Sequence, residues 1–75
     1  MYYDNEVQSI VVFNPNFVKI KSIELYNMLG QNIIDIDNIS ELDYSEYEVK
    51  NLSTGTYIIK MDTLSGLLSK KVMVK

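Results

Sequence analysis

Hydrophobic residues alternate with polar residues over several short stretches of this chain, and turn-forming residues separate the stretches. Ile23 and Leu25 fall on one side of their stretch, while Glu24 and Tyr26 fall on the other. A period of two is typical of a half-buried β-strand, and helical periodicity is weak throughout. The predicted strands lie at about 7–14, 18–27, 32–36, 47–49, 56–62 and 67–74.

Short strands recurring at intervals of about ten residues predict an all-β fold, a small antiparallel immunoglobulin-like β-sandwich. About five or six strands are fewer than the roughly seven of such a sandwich, so we expect the first one or two to be missing. The 75 residues form one domain, in which residues 1–6 are a disordered or non-native start and 37–46 connects the sheets. Ile34 and Ile36 are expected to face the core. On the later strands, one face holds Tyr57, Ile59 and Met61, and another holds Leu68, Val72 and Val74.

Composition excludes several classes of function. The chain has no Cys, no His and no Trp, so it lacks disulfides, thiolate metal sites and the usual general base near neutral pH. We therefore expect no enzyme, no cofactor and no metal. The net charge is −3 and Arg is absent, so the basic footprint of a nucleic-acid-binding protein is missing.

No segment predicts a membrane span, because the longest apolar runs, such as Ile10–Phe13, fall far short of about 20 residues. Residues 1–6 include acidic residues where a signal peptide has basic residues, so an export signal would have to lie upstream. Six carboxylates lie in the middle of the chain. We expect them to be solvated rather than to bind calcium, because their spacing is not that of a calcium-binding loop. They are Asp35, Asp37, Glu41, Asp43, Glu46 and Glu48.

Three segments in order resemble the C-terminal sorting domain of proteins exported by the type IX secretion system of Bacteroidetes. Segment 23–31 resembles the family's strand and turn ending in Gly-Gln, and 49–60 resembles its Leu-Ser-x-Gly-x-Tyr motif entering a strand. Segment 69–75 is similar to its basic, apolar terminal strand. The family's opening Pro-Asn-Pro motif has no full counterpart, since Asn14-Pro15-Asn16 stands too close to the Gly-Gln segment.

The resemblance implies a secretion signal that directs a passenger protein across the outer membrane to the cell surface or the extracellular space, with transit through the periplasm and cleavage on export. It implies translocon and sortase components and a covalently linked upstream passenger as partners. The implied motif residues are Gly30, Gln31, Leu52, Gly55 and Tyr57. The candidates for contact with translocon or sortase are Lys70, Lys71, Val72, Val74 and Lys75.

Structural interpretations of the same residues stay open. Gly30 and Gly55 are first of all turn glycines, and Tyr57 is a core or cross-strand aromatic rather than a ligand contact. The terminal lysines are also typical of an edge strand, where their charge prevents aggregation. Exposed strand edges would also allow dimerisation. An alternative function is an extracellular adhesion or carbohydrate-binding module in which exposed tyrosines such as Tyr26 stack on sugars.

Overall fold

The computed structural model describes residues 1–39 and 42–75, and this part of the chain contains seven β-strands and no helix. Most of the strands coincide with stretches of alternating or β-branched residues, which fit a pleated, half-buried surface. The strands are β1 (Tyr2–Asp4), β2 (Ser9–Phe13), β3 (Ile20–Asn27), β4 (Asn32–Ile36), β5 (Tyr44–Glu48), β6 (Gly55–Thr63) and β7 (Gly66–Val74).

The strands form two antiparallel sheets, a three-stranded sheet in the order β1-β2-β5 and a four-stranded sheet in the order β4-β3-β6-β7. Strands β2 and β5 pair although two strands of the other sheet lie between them in sequence. Such a connection from one sheet to the other is typical of immunoglobulin-like sandwiches. Here β4 pairs with β3 in the four-stranded sheet. The predicted all-β sandwich is therefore confirmed.

The core lies between the two sheets and is built from alternate residues of each. Ile23 and Leu25 on β3 pair with Met61 and Ile59 on β6, and all four are buried. Ile10 on β2 is fully buried in the same cluster. Burial of one such side chain contributes about 1.5–3 kcal/mol, and these residues are the main source of stability in a chain without disulfides.

The start of the chain differs from our expectation. The expectation for residues 1–6 is a disordered or non-native start, whereas Tyr2–Asp4 form β1. The reason is a distant contact: Tyr3 is buried in the core, and its hydroxyl donates to the carbonyl of Val49 at 2.9 Å. With seven strands present, the strand count no longer argues for missing ones.

Two further expectations are tested by the later strands. Ile34 and Ile36 are half-buried and pack against the core, as the alternation predicted. Leu68 shares the face of Val72 and Val74, as the alternation predicted, but its side chain is 56% exposed. It borders an open cleft of about 180 Å³ between the sheets, beside Phe13 and Met61, so no packed layer covers it.

Strand β5 begins at Tyr44, earlier than predicted, so the connection between the sheets is shorter than 37–46. Within its described residues the connection contains no helix. Ser40 and Glu41 lie outside the described residues, so the prediction for the Glu41 carboxylate is not tested.

Candidate functional site

The loop between β3 and β4 closes around Asn27. The backbone carbonyl of Asn27 accepts from Gly30 N–H at 3.1 Å, and its side-chain oxygen accepts from the N–H groups of Leu29 at 3.0 Å and Gln31 at 2.9 Å. Asn27 Nδ2 donates to Gln31 Oε1 at 2.7 Å. Gly30 has φ +84°, a conformation that glycine adopts at little cost. Gly30 and Gln31 therefore build the turn itself.

The Leu-Ser-x-Gly-x-Tyr segment forms the turn that enters β6. The hydroxyl of Tyr57 donates to the carbonyl of Ser53 at 2.7 Å, four residues upstream. This is the tyrosine corner of immunoglobulin-like sandwiches, in which a Tyr near the start of the sixth strand bonds back to the preceding backbone. The Tyr57 ring is buried, and Leu52 packs against the core. The motif thus fixes how the chain crosses between sheets.

All three distant segments meet at one end of the four-stranded sheet. Asn27 at the end of β3 pairs with Tyr57 near the start of β6, and Tyr57 pairs with Val72 near the end of β7. Gly55 pairs with Val74 two rows further on. We call this region the motif end, defined as residues 27–31, 52–57 and 72–75. Sequence spacing alone does not show this convergence, because it depends on strand register.

The terminal residues divide into a buried and an exposed group. Val72 and Val74 are 8% and 4% exposed and belong to the core. Lys70, Lys71 and Lys75 are exposed. Because successive side chains of a strand point to opposite faces, Lys70 lies on the inner side with the valines, and Lys71 on the outer side. The two adjacent lysines therefore do not form one patch on a single face.

Asn5 lies in the turn between β1 and β2 and contacts the motif end. Its Nδ2 donates to the carbonyl of Met73 at 3.1 Å, and its Oδ1 accepts from Lys75 N–H at 2.8 Å. These two bonds hold the end of β7 in the way that a neighbouring strand would. Sequence reasoning missed Asn5, since the contact spans about 70 residues and no local pattern signals it.

Comparison with protein families gives a match to the secretion system C-terminal sorting domain over residues 3–75. The chain belongs to this family. It is a sorting domain of type IX secretion, a non-catalytic module whose presence implies export across the outer membrane to the cell surface or extracellular space. Neither the search of curated proteins nor the search of solved structures found a match.

Tyr26 lies on the outer face of the four-stranded sheet of the sorting domain, where two other side chains contact it. Its hydroxyl donates to Glu24 Oε2 at 2.5 Å, and Lys60 Nζ lies 4.6 Å from the centre of its ring. The hydrogen bond to Glu24 raises the pKa of Tyr26 above its usual value. One ring face is thus covered by a lysine, which weakens the interpretation of Tyr26 as a platform for sugars.

The remaining described surface of the sorting domain contains one further cleft. A shallow cleft of about 510 Å³ lies beside Phe17, Ile20 and Asp37, open to solvent. Residues 1–39 and 42–75 contain no group of three or more acidic, His or Cys side chains placed to hold a metal ion. The same residues include no helix of the length and apolarity that crossing a membrane requires.

Proposed function

We propose that this sorting domain is the secretion signal of a passenger protein linked upstream of it, which it directs from the periplasm across the outer membrane. The machinery of type IX secretion recognises the motif end together with the exposed part of β7, and the domain is removed on export. The observation that carries the proposal is the convergence of the three family segments at one end of one sheet.

The outer edge of β7 supplies backbone groups for recognition. Met73 O and Lys75 N–H point away from β6 towards Asn5. Backbone groups alternate in direction along an antiparallel strand, so those of Ser69 and Lys71 point the same way, beyond the edge of the sheet. An extended segment of a translocon or sortase component can pair with this edge by strand addition.

The five candidate recognition residues take two roles in this proposal. Lys70, Lys71 and Lys75 are exposed and contact the machinery directly, and their charge favours an acidic partner surface. Val72 and Val74 are buried and hold the strand in place, so their contribution to recognition is indirect. Gly30, Gln31, Leu52, Gly55 and Tyr57 shape the turns beside the strand.

A reporter fusion tests the proposal. A periplasmic reporter is joined to the sorting domain in a host with type IX secretion, and the reporter is measured in periplasm, at the cell surface and in the medium. We expect the fusion to leave the periplasm and the unfused reporter to stay there. A fusion that folds but remains periplasmic would contradict the proposed function.

Two finer points need their own measurements. Mass spectrometry of the exported reporter tests removal, since a cleaved product lacks the mass of the domain. Deleting 72–75 is a poor test of recognition, because it removes two core valines and is expected to unfold the domain. Dimerisation through strand edges stays a prediction, which sedimentation velocity of the isolated domain measures.

A further inference from the structure

Two hydrogen-bonded Tyr–Glu pairs lie on the outer faces of the two sheets. On β3, Tyr26 donates to Glu24, and Lys60 from the neighbouring strand lies over the Tyr26 ring. On β5, Tyr44 donates to Glu46 Oε1 at 2.8 Å. Both pairs join residues two positions apart on one strand. Within the described part of the chain, the first pair has a cation on its ring and the second has none.

Strand register explains why, among the described residues, the Tyr26 ring has a cation beside it and the Tyr44 ring has none. Lys60 lies directly opposite Glu24 on β6, and so its ammonium group reaches the neighbouring Tyr26 ring. The residue opposite Glu46 on β2 is Val11, which is buried and apolar. The other side of β5 is the free edge of the three-stranded sheet. The position that corresponds to Lys60 therefore lies just beyond that edge.

The backbone of β5 is oriented to pair at this edge. Asn14 N–H donates to Asp43 O at 2.6 Å, and Val49 N–H donates to the carbonyl of Gln8 at 2.8 Å, so the odd positions face β2. By alternation, the backbone groups of Tyr44, Glu46 and Glu48 point away from the sheet. These groups match the hydrogen-bonding pattern of an added strand.

The charge at the edge selects the kind of partner. Glu46 and Glu48 are exposed on the edge strand, and Asp4 lies on the same face in the row of Glu48. Lys50 contacts Glu48 Oε1 at 3.6 Å, with both side chains more than half exposed, which leaves the edge acidic. A second copy of β5 would bring like charges together, whereas a cationic strand would meet opposite charges.

We propose that the free edge of β5 binds an extended segment of a partner protein that carries Lys or Arg opposite Glu46. The cation of this segment lies over the Tyr44 ring beside the Glu46 carboxylate, as Lys60 lies over the Tyr26 ring. Carboxylate and aromatic face together suit a cation better than either does alone. This surface is on the opposite sheet from the motif end and does not depend on the proposed secretion function.

Titration of the ¹⁵N-labelled chain with two eight-residue extended peptides tests the proposal. One peptide alternates Lys with Thr and Val, and the other has Glu in place of Lys. We expect the Lys peptide to shift the amide resonances of Tyr44, Glu46 and Glu48 and to slow their hydrogen exchange. The Glu peptide is expected to leave them unchanged, because like charges repel at this edge.

Matched variants separate this site from general attraction to an acidic domain. Glu46→Gln is expected to weaken binding of the Lys peptide about tenfold, since the charge-assisted bond is lost. Tyr44→Leu is expected to weaken it about threefold, through loss of the aromatic face. Glu24→Gln removes the same charge from the other Tyr–Glu pair and is expected to leave binding unchanged. The amide spectrum of each variant verifies that it is folded.

Several results would overturn the proposal. Equal weakening by Glu46→Gln and Glu24→Gln would show non-specific charge attraction. Shifts centred on Ser69 and Lys71 would place strand addition at β7 instead. Concentration-dependent shifts of β5 without peptide would identify a second copy as the occupant. Shifts of Tyr2, Phe13 and Tyr44 with maltohexaose, and none with the Lys peptide, would identify a glycan surface.

Discussion

The two halves of β7 differ although they belong to one continuous strand. In Gly66–Lys71 every residue is exposed, including Leu67 and Leu68, which are 63% and 56% exposed. In the remainder, Val72 and Val74 are buried in the core, and Asn5 binds the backbone at Met73 and at Lys75, the residue that follows the strand. The first half borders an open cleft, whereas the second half is covered by the other sheet.

The two halves of the terminal strand should therefore differ in function, one contributing to folding and the other to recognition. The second half anchors the strand, so its substitutions should change the free energy of unfolding. The first half is available to a partner, so its substitutions should change export and leave stability nearly intact. A position in each half with its side chain on the same face allows a direct comparison.

The largest expected effect comes from a charge in the anchored half. Val74→Asp places a carboxylate in the core, and we expect it to lower the free energy of unfolding by about 4 kcal/mol or more, enough to unfold the domain. Leu68→Asp, on the same face in the exposed half, should cost about 0.5 kcal/mol. Urea unfolding of both variants measures the difference. Equal losses would mean that the two halves are not distinct.

A smaller effect is expected at the tyrosine corner. Tyr57→Phe removes the hydroxyl that donates to Ser53 O, and loss of this bond should cost about 1–2 kcal/mol. Tyr2→Phe, at a 48% exposed position, serves as the control and should cost about 0.5 kcal/mol or less. Thermal unfolding compares them. An unchanged midpoint for Tyr57→Phe would show that the corner bond does not support the motif end.

Asn5 offers a test confined to the end of the strand. Asn5→Leu removes both bonds to β7 and should cost about 1 kcal/mol, with amide exchange at Lys75 about fivefold faster. Asn5→Asp retains the acceptor for Lys75 N–H, so exchange at Lys75 should rise less than in Asn5→Leu. Hydrogen exchange followed by NMR distinguishes them. Unaltered exchange in Asn5→Leu would indicate that packing of Val74 alone holds the end.

The smallest expected effect is a gradual loss of folding stability at alkaline pH. Burial, and then the nearby Tyr57, raise the pKa of Tyr3 above 10.0. Stability from the neutral hydroxyl is therefore complete below about pH 10 and is lost as the pH rises through the raised pKa. Tyr3→Phe should unfold with a shallower decline in stability between about pH 9.5 and 11. Parallel declines for variant and parent would contradict a contribution from Tyr3.

The alternation of residues was sufficient to predict most strands. Ile23, Leu25, Ile59 and Met61 occupy the buried faces that a period of two assigns them. β1 was missed because a three-residue strand has too short a pattern, and its stability comes from a contact between Tyr3 and Val49 far along the chain. Leu68 is exposed although it shares a face with Val72 and Val74, because alternation gives the face of a residue, not the extent of the opposite sheet.

The candidate site was predictable only as separate pieces. Turn chemistry alone explains Gly30, but the pairing of Asn27 with Tyr57 and of Tyr57 with Val72 depends on register. The separation of Lys70 from Lys71 follows from strand geometry once the terminal segment is known to be a β-strand. Asn5 could not be found, since two side-chain bonds across the fold leave no trace in local sequence.

The most direct test of recognition by β7 compares two lysine pairs of equal charge. Lys70→Ala with Lys71→Ala changes the exposed half of β7, and Lys19→Ala with Lys21→Ala changes exposed positions away from the motif end. Both variants should keep the parent's stability to within about 0.5 kcal/mol. We expect export of the fused reporter to fall at least about tenfold only for the first pair. Equal export by both variants would contradict recognition through the lysines of β7.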